Sequence, residues 1–340
     1  MPCAVAGQPA GNAAGPVTMS VLERAVLFPC EGEQLVGVVA APGQALAAAD
    51  RGSHCGSDRR DGVVAGGGPA ATASAALPAP ECGVLIIVGG PQYRVGSHRQ
   101  FVLLSRRLAA EGYPSMRFDY RGMGDASGAM RSFEDVQADI GAAIDVFRRT
   151  VPSLRRIVLW GLCDAASAAL LYADATPDPQ VAGLVLVNPW VRSEASQART
   201  QIKHYYGRRL LQREFWSKLT SGRMAVGASV RELLCAALRS RRRPAAARDP
   251  VRQSFQDGMA AGWRGFAGQV LLILSGDDYT AREFLEYTAA DQAWEGLLEA
   301  AKVHRFDLGD ADHTFSSGRL RSQVEDATLS WLAALEGARR

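Results

Sequence analysis

Short apolar runs alternate with helix-like segments along most of the chain. The runs at 84–88, 157–160, 183–187 and 270–274 predict strands, and that at 84–88 has the branched residues of a buried strand. Two further short strands are predicted at 115–118 and 303–306. Elsewhere apolar residues recur at helical spacing, which predicts helices at 101–111, 133–149, 165–173, 281–288, 294–301 and 320–335. This alternation predicts an α/β fold with right-handed crossovers and a mostly parallel sheet that has helices on both faces.

Two segments near the start of the chain have no apolar period. Residues 1–18 are rich in Ala, Gly and Pro and predict a disordered tail, or a true start at Met19. Residues 41–80 are dominated by Ala, Gly, Ser and Asp and predict a flexible insertion. Between these segments, strands at 24–28 and 34–39 predict a hairpin that edges the sheet.

A basic segment of helix-forming residues interrupts the alternation at 194–264. Between residues 201 and 249, twelve Lys and Arg stand against three Asp and Glu, although the formal net charge of the whole chain is only +3. Because strands and helices resume afterwards, we expect a helical lid inserted into one domain that spans 19–340. Its charge fits an anionic substrate or contact with a membrane surface, and it equally fits a solvated pair of helices.

Length and composition narrow the classes of protein. The 340 residues are 47% apolar, and no apolar run approaches the roughly 18 to 20 residues of a membrane-spanning helix. No helix-turn-helix, RNP-like or zinc-finger pattern accompanies the basic segment, so nucleic acid is not expected as a partner. No clear export signal is present, and we expect a cytoplasmic protein whose six cysteines are reduced. No C-x-x-C pair or His cluster indicates a metal or redox cofactor.

The most informative chemical signal follows the strand at 157–160. There the chain runs through Gly161-Leu162-Cys163-Asp164-Ala165 into a helix of small residues, which is the context of a nucleophile elbow. The strained turn requires small residues two positions before and after its centre, and Gly161 and Ala165 meet that requirement. Cys163 stands at the centre, at the start of a helix whose amides and dipole favour a thiolate. We predict that Cys163 is the nucleophile; the alternative is a buried structural cysteine.

Such a nucleophile needs a general base. Among the five histidines, His54 lies in the predicted insertion and His304 in a predicted strand, whereas His313 lies in the loop after the last strand, where a base reaches the elbow. The acid that orients the imidazole should follow the preceding strand, where Asp277 and Asp278 are adjacent. We favour Asp278, because the residue nearest the strand often only shapes the turn, and Asp277 stays the alternative.

Four motifs carry a resemblance to a known group. They are GGPQYRVGSHR at 89–99, FDYRGMGDASG at 118–128, GLCDA at 161–165 and His204-Tyr205-Tyr206 in the predicted lid. The region 84–335 resembles the α/β-hydrolase fold, and the motifs resemble the bacterial group called exosortase A system-associated hydrolase 1. That group is defined by its place in loci for exopolysaccharide production and exosortase-dependent sorting. The resemblance therefore implies a link to exopolysaccharide production.

The oxyanion site is predicted in part. In this fold one donor is the backbone N–H after the nucleophile, here that of Asp164, and the second comes from a loop that here carries Pro91. Since Pro91 has no N–H, we expect Gln92 to donate through its backbone or its side-chain amide. Arg94 and His98 follow on the same loop and are candidates to bind a carboxylate or phosphate; the alternative is that they face solvent at a helix start.

Together these residues predict covalent acyl transfer. His313 would take the proton of Cys163, the thiolate would attack an ester or thioester, and water would complete hydrolysis. Tyr205 and Tyr206 of the lid are candidate contacts for a small-molecule or saccharide-linked acyl substrate, unless they only pack the lid down. The alternatives are acyl transfer to a saccharide hydroxyl and a non-catalytic binding protein of the same pathway. A third alternative is that Asp164 or Ser167 acts in place of Cys163; Ser167 is disfavoured, because it lies one helical turn past the elbow.

Overall fold

The computed structural model describes residues 20–43, 45–46, 79–90, 92–192 and 254–337, so the tail predicted at 1–18 lies outside the described residues. Eight strands form one sheet in the order β1-β2-β4-β3-β5-β6-β7-β8. The strands are β1 Val21–Cys30, β2 Glu33–Pro42, β3 Cys82–Ile87, β4 Ser115–Asp119, β5 Arg156–Leu162, β6 Val181–Val187, β7 Gln269–Ser275 and β8 Val303–Leu308. The helices are α1 Gln100–Ala110, α2 Gln137–Thr150, α3 Asp164–Ala175, α4 Phe255–Gly265, α5 Tyr279–Ala290 and α6 Gly318–Gly337.

The strand directions agree with the alternating sequence. β1 pairs with β2, and β2 with β4, in antiparallel register. All other neighbouring strands in the sheet are parallel. The predicted hairpin is therefore β1 and β2, and it forms one edge of the sheet.

Apolar side chains pack on both faces of the sheet. In β5, Ile157 and Leu159 belong to a cluster with helices α2, α3, α4 and α5, whereas Val158 and Trp160 belong to a second cluster with α1 and α6. A strand that is buried on both faces needs continuous apolar residues, which explains the unbroken runs in the sequence. The prediction of a mostly parallel sheet with helices on both faces is confirmed.

Helix α4 corrects the predicted extent of the lid. The sequence assigns 194–264 to the lid, yet α4 packs against α3 and its Trp263 is fully buried. Gly262 permits this close approach, since a side chain there would overlap the carbonyl oxygen of Leu170. The last part of the predicted lid therefore belongs to the domain core, and the rest of it, 194–253, lies outside the described residues.

Replacing Trp263 by alanine is expected to lower the free energy of unfolding by about 3–5 kcal/mol, because it leaves a large cavity in the core. The substitution also removes the hydrogen bond from Trp263 Nε1 to Leu297 O, at 3.0 Å. Denaturant titration measures the change. Met130→Ala is the control, since Met130 is exposed and its loss should cost about 0.5 kcal/mol or less. An equally small cost for Trp263→Ala would show that α4 is not part of the core.

Two further boundaries differ from the prediction. The helix predicted at 294–301 is wrong: a 3-10 turn, Gln292–Trp294, is followed by irregular turns. Gly296 adopts a φ of 70°, which is incompatible with a continuing right-handed helix. The first two residues of the insertion predicted at 41–80 belong to β2, and its part at 47–78 lies outside the described residues.

Candidate active site

Cys163 occupies a strained turn at the carboxyl end of β5. Its φ of 64° and ψ of −125° lie outside the regions that residues with a side chain commonly adopt. Gly161 permits the turn, since a Cβ there would lie 2.5 Å from the backbone of Ala165. Helix α3 begins at the next residue, so the half-buried thiol lies at a helix N-terminus. This is the geometry of a nucleophile elbow.

Hydrogen bonds to the end of β6 hold the elbow. Cys163 N–H donates to Val187 O at 2.8 Å, and Trp190 N–H donates to Cys163 O at 3.3 Å. Ser167 Oγ is buried, donates to Trp190 O at 2.6 Å and accepts from Trp190 N–H at 3.1 Å. Because these bonds engage the hydroxyl group of Ser167 in the core, the alternative of Ser167 as nucleophile is wrong.

The loops after β7 and β8 bring an acid to the imidazole. His313 Nδ1 lies 2.8 Å from Asp278 Oδ2, and Asp278 is buried. Its other carboxylate oxygen accepts from Thr280 N–H at 3.0 Å and caps helix α5, which fixes the orientation of the carboxylate. The side chain of Asp277 is 84% exposed and lies 3.8 Å from Arg282. The structure thus brings Asp278 to His313 and leaves Asp277 at the surface.

The imidazole of His313 is strongly basic. Its pKa is raised from 6.5 to about 10. The hydrogen bond to Asp278 is the largest cause, the interaction with the Cys163 sulfur is the second, and burial acts in the opposite direction. A pKa of about 10 keeps His313 protonated at neutral pH. Cys163 therefore faces a positively charged imidazolium.

A buried hydrogen-bond chain, absent from the sequence analysis, supports the His313 loop. Asn188 is fully buried; its Nδ2 donates to Ser275 Oγ at 2.9 Å, and its Oδ1 accepts from Ser275 N–H at 2.8 Å. Ser275 Oγ then donates to Asp312 O at 3.1 Å, directly before His313. The chain joins the ends of β6 and β7 to the His313 loop. A polar residue at the end of each buried apolar run is the sequence signal that could have identified Asn188 and Ser275.

The loop after β3 lies against the elbow. Gly90 N–H donates to Asp164 Oδ2 at 2.7 Å. Pro91 lies outside the described residues. Gln92 is half-buried, and its buried Oε1 has no hydrogen-bond partner among the residues that the structure describes. The structure brings this loop to Asp164, and the oxyanion roles of Asp164 and Gln92 stay predictions.

Arg94 does not have a free charge for a substrate. Its side chain forms ion pairs with Asp119 and, at 2.7 Å, with Asp125. Its backbone N–H also donates to Asp119 Oδ1 at 2.6 Å. These two carboxylates balance the guanidinium and join the loop after β3 to the end of β4, at Asp119, and to the loop that follows, at Asp125. The predicted substrate-binding role of Arg94 is therefore corrected to a structural one.

The other residues predicted to contact the substrate keep that status. His98 is exposed in a 3-10 turn, Ser97–Arg99, directly before α1. Tyr205 and Tyr206 lie outside the described residues. The role of each of these three side chains in substrate binding stays a prediction.

Arg121, in the motif FDYRGMGDASG at 118–128, fastens the loop after β4 to helix α2. Arg121 is buried, and its guanidinium lies 2.7 Å from Asp139 Oδ2 in helix α2. Its backbone N–H donates to Asp139 Oδ1 at 2.8 Å. Because both charges are buried and paired, this motif supports the fold and gives no information about the substrate.

Two further observations concern metals and membranes. Within the described ranges, no group of three or more His, Cys, Asp or Glu side chains could hold a metal ion. None of the helices that the structure describes is long and apolar enough to cross a membrane.

The sheet order, the strained turn after β5 and the acid and histidine loops after β7 and β8 are those of the α/β-hydrolase fold. The predictions of this fold and of an α/β-fold hydrolase are confirmed. Residues 80–243 match the family model described as Hydrolase_4, serine aminopeptidase, S33. No curated protein matches the sequence. The family description names serine, whereas this chain has Cys163 at the elbow.

Solved esterase structures share this fold at low sequence identity. The Pyrococcus furiosus esterase PF2001 is 14% identical with a TM-score of 0.55, and the match covers 96% of each chain. Est1E from Butyrivibrio proteoclasticus, with bound ferulic acid, is 12% identical with a TM-score of 0.53, over 92% of this chain and all of that one. A fungal esterase from Rhizomucor miehei is 14% identical with a TM-score of 0.52, over 95% of this chain and 86% of that one.

Proposed function

We propose that the protein hydrolyses a carboxylic ester or thioester through a covalent acyl-enzyme formed on Cys163. One observation carries the proposal: the cysteine at the strained elbow faces an imidazole that is hydrogen-bonded to a buried carboxylate, at 2.8 Å. The fold and the esterase structures that share it support ester hydrolysis. Asp278, His313 and Cys163 are the proposed acid, base and nucleophile.

Acylation begins from a thiolate and an imidazolium. The sulfur of Cys163 attacks the carbonyl carbon, a C–S bond forms, and the carbonyl electrons move to oxygen. Backbone N–H groups near Asp164 and Gln92 hold this oxyanion. When the tetrahedral intermediate collapses, the bond to the leaving oxygen or sulfur breaks, and His313 gives its proton to the departing group. The alcohol or thiol leaves, and a thioester remains on Cys163.

Deacylation returns the site to its starting state. Neutral His313 accepts a proton from water, whose oxygen attacks the thioester carbonyl. The second tetrahedral intermediate releases the Cys163 sulfur as a thiolate, and the carboxylic acid product departs. His313 keeps the proton that it took from water, so the thiolate and imidazolium are restored. Asp278 holds the ring throughout and stabilises its positive charge whenever His313 is protonated.

The resemblance to the exosortase A system-associated group directs the search for a substrate. We propose an acyl compound linked to exopolysaccharide production, either a small molecule or a saccharide-linked ester. The basic segment at 201–249 supports an anionic or saccharide-bearing substrate by its charge. A cytoplasmic location belongs to the same proposal.

Thiol alkylation tests the nucleophile without a known substrate. Brief treatment with limiting iodoacetamide at pH 7 should label Cys163 about 30-fold faster in the wild type than in His313→Ala. Without the imidazole Cys163 should behave as an ordinary thiol, which is only a few per cent thiolate at pH 7. Peptide mass spectrometry measures the label at each cysteine. Cys82 is the internal control, since burial raises the pKa of its thiol to about 12 and should leave it unlabelled.

His304→Ala is the matched control for this experiment. It removes the same kind of side chain, from an exposed position on β8. It should leave the labelling of Cys163 unchanged. If Cys163 reacted no faster than the other cysteines, and His313→Ala made no difference, the binding-protein alternative would replace the hydrolase proposal.

A further inference from the structure

The side chain of Asp164 is wedged between the elbow and the loop after β3. Its Oδ2 accepts the N–H of Gly90 at 2.7 Å. Its Oδ1 lies against Gly89, where a Cβ would overlap that oxygen and come within 2.9 Å of Ala165 N. Only glycine fits at position 89 in this arrangement, so the carboxyl group packs directly on the backbone of the loop.

Burying the carboxyl group of Asp164 against the loop lowers the free energy of unfolding. Oδ1 of Asp164 is buried without a hydrogen-bond partner among the described residues. Burial is the largest influence on the pKa of Asp164 and raises it, although the backbone amides of Gly90, Ala165 and Asp164 itself and the charge of His313 act to lower it. A buried carboxyl oxygen without a partner destabilises a fold. Destabilising arrangements of this kind concentrate at functional sites. The buried carboxyl group next to Cys163 therefore indicates that Asp164 has a functional role.

The contact also decides which amides of the loop remain for an oxyanion. Gly90 N–H is engaged by Asp164 and is not available to a substrate. Pro91 has no N–H. The next backbone N–H along the loop belongs to Gln92. The buried atom of the Gln92 side chain is the acceptor Oε1, which does not stabilise a negative charge.

We propose that Asp164 is a positioning residue for the oxyanion site: its carboxyl group anchors Gly90, and this holds the loop so that the backbone N–H of Gln92 is the second donor. The catalytic part of this inference rests on the proposed function. The anchoring part concerns only the structure of the loop and can be measured separately. The side chain of Asp164 thus positions the second donor, whereas the backbone N–H of the same residue is the first.

Asp164→Ala is the test, with three measurements on purified full-length protein. Hydrogen exchange in a peptide that covers 88–94 should become about tenfold faster, because the amide of Gly90 loses a hydrogen bond to a carboxyl group. The kcat for a p-nitrophenyl ester should fall about 10²-fold, the low end of the loss for one oxyanion donor. Alkylation of Cys163 by iodoacetamide should stay within a few-fold of wild type, since that reaction develops no oxyanion.

Two conservative variants and one control sharpen the test. Asp164→Asn keeps an acceptor oxygen for Gly90 and should restore most of the kcat. Gln92→Ala keeps the backbone N–H and should also retain most of it. Asp174→Ala makes the same substitution near the other end of α3, at an exposed position, and should change none of the three measurements.

Several results would overturn the inference. Unchanged exchange at 88–94 in Asp164→Ala would show that the carboxyl group does not anchor the loop. Equal losses of ester turnover and Cys163 alkylation would indicate a damaged elbow instead of a displaced donor. A large loss in Gln92→Ala would assign the donor to the side chain. If the wild type showed neither turnover nor His313-dependent alkylation, the proposed function would fail, and the exchange result would still decide the anchoring.

Discussion

Replacing Cys163 by alanine is expected to lower the kcat for a reactive ester or thioester by on the order of 10⁶-fold, the loss seen when a covalent nucleophile of this kind is removed. Alanine is smaller than cysteine, and the side chain of Cys163 is only half-buried, so the substitution removes little packing from the elbow. The fold should therefore persist while the acyl-enzyme is lost. Initial rates with a p-nitrophenyl ester and a phenyl thioester measure the effect.

Cys163→Ser and Cys30→Ala complete this experiment. In this variant the Cys163 sulfur no longer raises the pKa of His313, but the hydrogen bond to Asp278, the largest cause, remains. The imidazole therefore stays more basic than an ordinary histidine and holds its proton more readily, which makes it a poor acceptor for the proton of a serine hydroxyl. We expect Cys163→Ser to be far less active than the wild type. Cys30 is buried away from the elbow, in a different apolar cluster from the one that Cys163 borders, and Cys30→Ala should keep its kcat. Substantial turnover in Cys163→Ala would exclude Cys163 as the nucleophile.

Asp278→Asn is expected to lower kcat by up to about 10⁴-fold, the loss produced when the orienting aspartate of a serine triad becomes asparagine. It should also change the pH profile. Asp278 is the largest cause of the raised pKa of His313, so its loss moves that pKa from about 10 back towards 6.5. Because acylation needs the imidazolium as proton donor, the alkaline decline in activity should move to lower pH.

Asp277→Asn is the matched control, since it makes the same change one residue earlier at an exposed carboxylate. It should leave both kcat and the alkaline decline in place. Equal effects of the two substitutions, or an unmoved alkaline decline in Asp278→Asn, would contradict the assignment of Asp278. The pair also affects stability: its contribution should be complete below about pH 6.5 and should be lost as pH rises through about 10, the pKa of folded His313.

The architecture could be predicted because its signals are local. Strands β3, β5, β6 and β7 are covered on both faces, so each appears in the sequence as a largely apolar run. The elbow was predictable for a similar reason: a strained turn between a strand and a helix permits only small residues at Gly161 and Ala165. Neither inference needed knowledge of residues distant in sequence.

The remaining features depend on contacts between distant segments. Asp277 and Asp278 are identical in type and adjacent, and only the position of the His313 loop distinguishes them. The charge of Arg94 suggested an anion site, but its partners, Asp119 and Asp125, come from the end of β4 and from the loop after it. No local pattern contains this pairing.

The stretch Val187–Trp190 connects two halves of the site that are far apart in sequence. On one side it hydrogen-bonds the backbone of Cys163. On the other, Asn188 reaches Ser275, which in turn bonds the carbonyl that precedes His313. Opening this short connection would displace the nucleophile and the base in a single cooperative event. The spacing between sulfur and imidazole is thus governed by a segment that supplies neither group and that no substrate needs to touch.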